Sequence, residues 1–175
     1  MHGRKDVGAV GVKLFYPDNT IQHAGVIVGM GGIGGHIFRN LPKDVRGYFA
    51  RDSFTQNLSA VTAACIFSRK EIYEEVGFMD ESFEVAFNDI DFCLKIREKG
   101  YLIVYDPYVE LTHYESKSRG YEDTPEKQKR FEGEIKRFEK KWKKVLEKGD
   151  PYFNPNFRLD VNDYKVRSEK VKNNY

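Results

Sequence analysis

Two aspartates stand two residues apart where a helix is predicted to begin. Asn88 and Asp89 open the helical run, Asp91 follows, and Gly100 ends the run. Residues two apart on a helix point about 200° apart, so these acids would not share one proton. One can therefore face a cleft while the other caps the helix. Acids near a helix N-terminus are kept ionised, as a general base must be, although capping alone is the commoner role.

A histidine stands at the end of a predicted strand and is followed by a polar loop. His113 leads into residues that include Ser118 and Arg119. Because ligands of open α/β sheets bind at the carboxyl ends of the strands, His113 is better placed for ligand contact than most single histidines. His23 and His36 lack the Cys and His spacing of a closed zinc site.

A glycine-rich stretch offers a weaker motif. Gly29, Gly31 and Gly34 match the dinucleotide fingerprint after a strand, but that fingerprint requires a helix to open there. Residues 36–42 show no helical apolar period, so the stretch is predicted to be a mobile loop. No Gly-Lys-Ser/Thr motif is present, which excludes a P-loop.

The composition limits the class of protein. The 175 residues (20.4 kDa) correspond to about one domain, and 29 basic against 27 acidic residues give a net charge of +2. Such a balance argues against a protein built mainly to neutralise nucleic-acid phosphates. No apolar run is long enough to span a bilayer, and two cysteines suit a reducing cytosol better than a disulfide scaffold.

The pattern predicts an α/β fold, with a mixed sheet flanked by helices and a long C-terminal amphipathic helix. The last helix begins at Pro125 and ends at Gly149, and residues 161–175 read as a polar, frayed tail. A Ser68 capping box is expected to open an earlier helix. Strands are predicted over residues 7–16, 21–28, 60–67, 101–105 and 109–113, and helices over 68–76, 88–99 and 125–148.

Several motifs together resemble family 2 glycosyltransferases of the rhamnosyltransferase type. Gly-Phe-Met-Asp-Glu at 77–81 and Phe-Asn-Asp-Ile-Asp-Phe-Cys at 87–93 are similar to that family's Gly-Phe-Asp-Glu and Glu-Asp-x-Asp-Leu-Cys patterns. Further similar segments lie, in the same order as in the family, at 8–11, 21–25, 113–120 and 150–156. The resemblance runs from about residue 7 to residue 157.

The resemblance implies a GT-A fold and the transfer of a sugar from a nucleotide-sugar donor to an acceptor hydroxyl with inversion. Asp89 matches the position of the family's catalytic base. His113 is similar in position to a metal or diphosphate contact, and the leaving diphosphate calls for Mg or Mn in the full enzyme. The residues expected to contact substrate or diphosphate are Thr62, Asn88, Asp91, Ser118 and Arg119.

This sequence departs from the family pattern in two respects. Position 88 is Asn where the family often has Glu, and nothing before Val7 corresponds to the family's N-terminal half with its nucleotide pocket and Asp-x-Asp metal motif. Asp89-Ile90-Asp91 has that spelling but occupies the base motif. Residues 1–160 are therefore expected to be the acceptor-side, C-terminal portion of a GT-A domain, with little transfer activity and no cofactor of its own.

The expected partners are a nucleotide-sugar donor and a carbohydrate or lipid-linked glycan acceptor, in surface polysaccharide synthesis. The expected location is the cytoplasm, with room for peripheral association at the inner face of the membrane and for self-association through an exposed sheet edge. Three other classes stay open. They are a non-catalytic carbohydrate-binding or assembly module, a dinucleotide-dependent oxidoreductase, and a nucleic-acid binder using the basic C-terminal helix.

Overall fold

The computed structural model describes residues 4–114 and 124–168 and confirms an α/β fold with a C-terminal helix. Within these ranges seven strands lie in two sheets. They are β1 (Val7–Phe15), β2 (Ile21–His23), β3 (Val26–Val28), β4 (Gly34–His36), β5 (Gln56–Leu58), β6 (Ile66–Ser68) and β7 (Leu102–Thr112). The helices are α1 (Lys70–Glu75), α2 (Asn88–Glu98) and α3 (Pro125–Lys148), with 3₁₀ helices at Met30–Gly32, Tyr48–Ser53 and Ala63–Cys65.

The main sheet is mixed, as the sequence predicts. Its order is β2-β1-β7-β5, and β6 pairs with β1 beside β2. Among the described strands only β1 and β7 run parallel to each other, and a parallel pair needs a long crossover, which here carries α1 and α2. Strands β3 and β4 form a separate antiparallel pair.

The prediction of two separate strands on either side of Asp106 and Pro107 is wrong, because β7 is continuous there. The parallel pairing with β1 jumps from Val12 opposite Asp106 to Lys13 opposite Glu110. This bulge takes up the residues between, including the proline, which has no N–H to give to a ladder. The strand therefore continues to Thr112.

The predicted second strand, residues 21–28, is also corrected. Gly25 interrupts it with φ +113°, a left-handed conformation that glycine tolerates. The chain leaves the main sheet after β2 and enters the small sheet as β3. The glycine-rich stretch that follows is not a loose loop, because β4 lies within it. A Cβ on Gly34 would be only 2.7 Å from Ile90 Cδ1, so this glycine allows close packing on α2.

The apolar run at residues 60–67 is not one buried strand. Thr62 caps the 3₁₀ helix Ala63–Cys65, and only the end of the run pairs with β1 as part of β6. The Ser68 capping box is wrong as well. The Ser68 hydroxyl donates to the carbonyl oxygen of Gly8 at 2.8 Å, and α1 begins at Lys70.

The two longer helices match their predictions. Helix α2 begins at Asn88, and α3 begins after Thr124, whose hydroxyl accepts from the Lys127 N–H. The predicted fraying of the tail is wrong for residues 161–168. Tyr164 is buried and its ring packs against Phe38, Phe153 and Phe157. Within the described ranges, no helix combines the length and the hydropathy needed to cross a membrane.

Candidate functional site

The carboxylate of Asp89 lies in the first turn of α2, half-buried. Its Oδ1 accepts the Ile90 N–H at 2.8 Å, and its Oδ2 accepts the Ala63 N–H at 3.2 Å. The two bonds fix the position of the carboxylate at the N-terminus of α2. Each carboxylate oxygen has further acceptor capacity, so Asp89 can still receive a proton.

The loop that contacts Asp89, residues 61–64, is fixed by further hydrogen bonds of its own. The Val61 carbonyl accepts from Cys93 Sγ at 3.6 Å, and the Ala64 N–H donates to Thr62 Oγ1 at 3.3 Å. The loop also rests directly on β1, where a Cβ on Gly11 would be 2.5 Å from Val61 Cβ. Thr62, predicted to contact substrate, is buried beside Asp89 and its hydroxyl caps the 3₁₀ helix.

A histidine pair lies on the other side of this loop. His23 is fully buried, and its Nε2 accepts the Thr62 N–H at 3.4 Å. Its Nδ1 lies 3.2 Å from Nδ1 of His36. Burial, helped by the neighbouring His36, holds the pKa of His23 well below its usual value of 6.5. The ring is therefore neutral near pH 7 and can accept a hydrogen bond.

Asp91 does not share the surface of Asp89, which corrects its expected contact with substrate. Its side chain is fully buried, and Oδ1 accepts from Trp142 Nε1 at 2.7 Å and from Lys141 Nζ at 2.6 Å. Trp142 and Lys141 both belong to α3. Asp91 therefore anchors α3 to α2. The opposite directions of Asp89 and Asp91 follow from their spacing, as expected.

Helix α3 also holds the segment that leads into α2. Glu134 is buried, and its two carboxylate oxygens accept the N–H groups of Val85 and Ala86, each at 3.1 Å. Phe87, just before α2, has φ +66° and its ring packs against Phe131 and Phe138 of α3. A left-handed phenylalanine is strained and persists only where its surroundings fix it. Helix α3 provides that support.

His113 follows the last residue of β7, and its N–H donates to the Phe15 carbonyl at 2.8 Å. Its side-chain Nδ1 is buried and has no hydrogen-bond partner in the described structure, as a metal ligand would. Yet the described residues contain no group of three or more His, Cys, Asp or Glu side chains that could hold a metal ion. These residues alone do not fit a divalent-cation site, so no step is assigned to a metal.

The other expected site residues are divided. Asn88 is half-buried at the first position of α2, next to Asp89. Ser118 and Arg119 lie outside the described residues. The structure therefore brings together Asn88, Asp89 and Thr62, while Asp91 points into the interior.

Sequence reasoning missed three residues of this site. From the sequence alone, His23 and His36 were considered only as metal ligands. Their contact depends on the pairing of β3 with β4, which no local sequence pattern predicts. Glu134 left a signal. It stands among Phe131, Phe138 and Trp142 at helical spacing, and an acid on an apolar helix stripe indicates a buried partner.

Comparison with known proteins finds similar stretches in much longer chains. The chain is 49% identical over 168 residues to the uncharacterized protein y4gI of Sinorhizobium fredii (strain NBRC 101917 / NGR234), covering 95% of this chain and 18% of that protein. It is 38% identical over 165 residues to the O-antigen biosynthesis protein RfbC of Myxococcus xanthus, covering 94% of this chain and 12% of that protein. The chain thus spans less than a fifth of either relative. No family model and no solved structure matches it.

Proposed function

We propose that this chain is the acceptor-side part of an inverting glycosyltransferase of surface polysaccharide synthesis, with Asp89 as its catalytic base. The observation that carries the proposal is the geometry of Asp89. It is a half-buried carboxylate at a helix N-terminus, fixed by two backbone N–H groups and still able to accept a proton. The similarity to an O-antigen biosynthesis protein supports the polysaccharide context.

The proposed reaction transfers a sugar from a nucleotide-sugar donor to a glycan hydroxyl. Asp89 takes the proton of the acceptor hydroxyl while that oxygen forms a bond to the anomeric carbon. The bond from this carbon to the diphosphate oxygen breaks on the opposite face, and the nucleoside diphosphate leaves with the electron pair. This single displacement inverts the anomeric configuration, as in inverting glycoside hydrolysis with an alcohol in place of water.

The other proposed contacts serve the donor. We assign Arg119 and Ser118 to the leaving diphosphate, since an arginine fork matches the oxygens of a phosphate. Asn88 is proposed to bind substrate beside the base. The nucleotide pocket is proposed to lie in a part of the enzyme other than residues 4–114 and 124–168.

The test is transfer by the product of the complete gene, with a panel of nucleotide sugars and glycolipid acceptors from the source cells. We expect Asp89→Asn to lower kcat by a factor of about 10² to 10⁴ while donor binding is retained. Asp44→Asn replaces an exposed acid and should leave kcat unchanged.

Two results would contradict the proposal. Transfer by Asp89→Asn near the wild-type rate would leave Asp89 as only a helix cap. Glycan binding without any transfer, and unaffected by Asp89→Asn, would identify a non-catalytic carbohydrate-binding module instead.

A further inference from the structure

The backbone N–H of Thr62 indicates which ring nitrogen of His23 carries the proton. A backbone N–H can only donate, so the Thr62 N–H makes Nε2 of His23 the acceptor. A neutral imidazole has one proton, which then sits on Nδ1. There it points to Nδ1 of His36, 3.2 Å away, which must accept it.

This tautomer leaves one contact of His36 without a proton. Its Nδ1 lies near two groups, the His23 ring and the Gln22 carbonyl oxygen at 3.0 Å. With the proton on His23 Nδ1, His36 Nδ1 is the acceptor in the pair, and it faces the Gln22 carbonyl oxygen, also an acceptor, with no proton between them. Were His36 Nδ1 protonated, it would donate to Gln22 and push the His23 proton to Nε2, against the Thr62 N–H.

Consecutive backbone groups connect His23 to the base. Thr62 donates to His23, and the next residue, Ala63, donates to Oδ2 of Asp89. Two adjacent backbone amides thus bind a buried ring on β2 and a carboxylate on α2. The two amides belong to adjacent planar peptide units that meet at the Thr62 Cα, so only the φ and ψ of Thr62 separate them, and its hydroxyl bond to the Ala64 N–H restrains that residue.

We propose that His23 is a positioning residue, which fixes Asp89 for proton transfer through the Thr62 and Ala63 amides. The inference rests on the proposed function, since it assigns to Asp89 the role of base. His23 is fully buried, so it does not contact substrate itself.

The test compares two substitutions of His23. His23→Gln keeps an acceptor oxygen for the Thr62 N–H and an N–H₂ group that can donate to His36, whereas His23→Met has similar size and no comparable acceptor. Ile21→Val, a mild change at a fully buried position of β2, controls for general loss of stability.

Two measurements are made on each protein. The first is amide hydrogen exchange. In His23→Met the amide protons of Thr62 and Ala63 should exchange about tenfold faster or more, whereas in His23→Gln and Ile21→Val their exchange rates should stay near those of the wild type. The second is transfer by the complete gene product. His23→Met should lower kcat with an unchanged donor KM, and His23→Gln should restore most of kcat.

A measurement on the wild type guards against a variant that fails to fold. ¹⁵N NMR of the histidine rings should show His23 protonated at Nδ1 and bare at Nε2 near pH 7. The opposite tautomer would overturn the proposal directly.

The outcomes separate the two proposals. Transfer by the wild type, with undiminished kcat in His23→Met, overturns the positioning role and leaves the glycosyltransferase proposal standing. No transfer by the wild type overturns the proposed function, while exchange and NMR still report whether His23 holds the loop.

Discussion

At the residue scale, burial decides what each ionisable group can do. Asp89 and Asp91 are two residues apart on α2, yet one keeps a free face and the other is enclosed by Lys141 and Trp142. A carboxylate enclosed in this way is held by charge and hydrogen bonds and has no access to substrate. The spacing of the two acids predicted that they diverge. It could not say which one faces outward, because that depends on where α3 packs.

His23 should make the stability of the protein depend on pH. The unfolded chain takes up a proton at its ordinary pKa near 6.5, whereas folded His23 resists protonation because burial lowers its pKa. Below pH 6.5 the unfolded state therefore binds more protons, and stability falls as the pH decreases. The loss should approach about 1.4 kcal/mol per pH unit until the folded state also takes up the proton.

Urea unfolding of wild type and His23→Gln between pH 5 and 8 measures this effect. The difference in unfolding free energy between the two proteins should be constant above pH 7, and the wild type should lose stability relative to His23→Gln as the pH falls below 6.5. Parallel curves over the whole range would show that His23 is not the group responsible.

At the element scale, α3 holds the start of α2 through one buried acid. Replacing Glu134 by Gln exchanges an acceptor oxygen for an N–H₂ group, which then faces the N–H of Val85 or Ala86. A buried donor without a partner costs about 1–3 kcal/mol, so the unfolding free energy of Glu134→Gln should fall by that amount. Denaturant unfolding measures it, with Glu132→Gln on the exposed face of α3 as the matched control, expected to change by less than about 0.5 kcal/mol.

Loss of the Glu134 contact should also loosen the segment that leads to Asp89. The N–H groups of Val85 and Ala86 precede the strained Phe87 and the first turn of α2. Hydrogen exchange in residues 85–89 should therefore accelerate in Glu134→Gln and not in Glu132→Gln. Equal stability and equal exchange in both variants would mean that the carboxylate contacts with this segment are energetically unimportant.

The two longer helices were predictable from the sequence, whereas the short strands and the start of α1 were not. The bounds of α2 and α3 follow from local signals, namely Asn88 and Gly100 for one and Thr124, Pro125 and Gly149 for the other. The breaks at Gly25 and Thr62 depend on distant partners. Gly25 turns where a Cβ would be 2.2 Å from Leu58 Cδ1, and Thr62 turns where its N–H meets His23. Such contacts leave no periodic pattern in the segment itself.

At the scale of the whole molecule, the sheet leaves an open edge and an apolar face. Strand β5 pairs with β7 only from Ile103 to Tyr105, and beyond Tyr105 no described strand lies on that side of β7. A cavity of about 400 Å³ beside it is lined mainly by apolar groups of β1, together with Phe67 and Val109. Phe67 is 61% exposed. Unpaired edges next to apolar surface favour pairing with another chain.

The chain should therefore self-associate through this face, and Val109→Asp should weaken the association roughly tenfold or more, because burying an unpaired charge is costly. Sedimentation velocity over a range of protein concentrations measures the effect. Val166→Asp is the matched control, since Val166 is also exposed and does not line this cavity. If Val166→Asp weakened association as much as Val109→Asp, general charge repulsion would account for the change. A wild-type chain that stays monomeric at all concentrations would instead show that the open edge does not pair with a second copy.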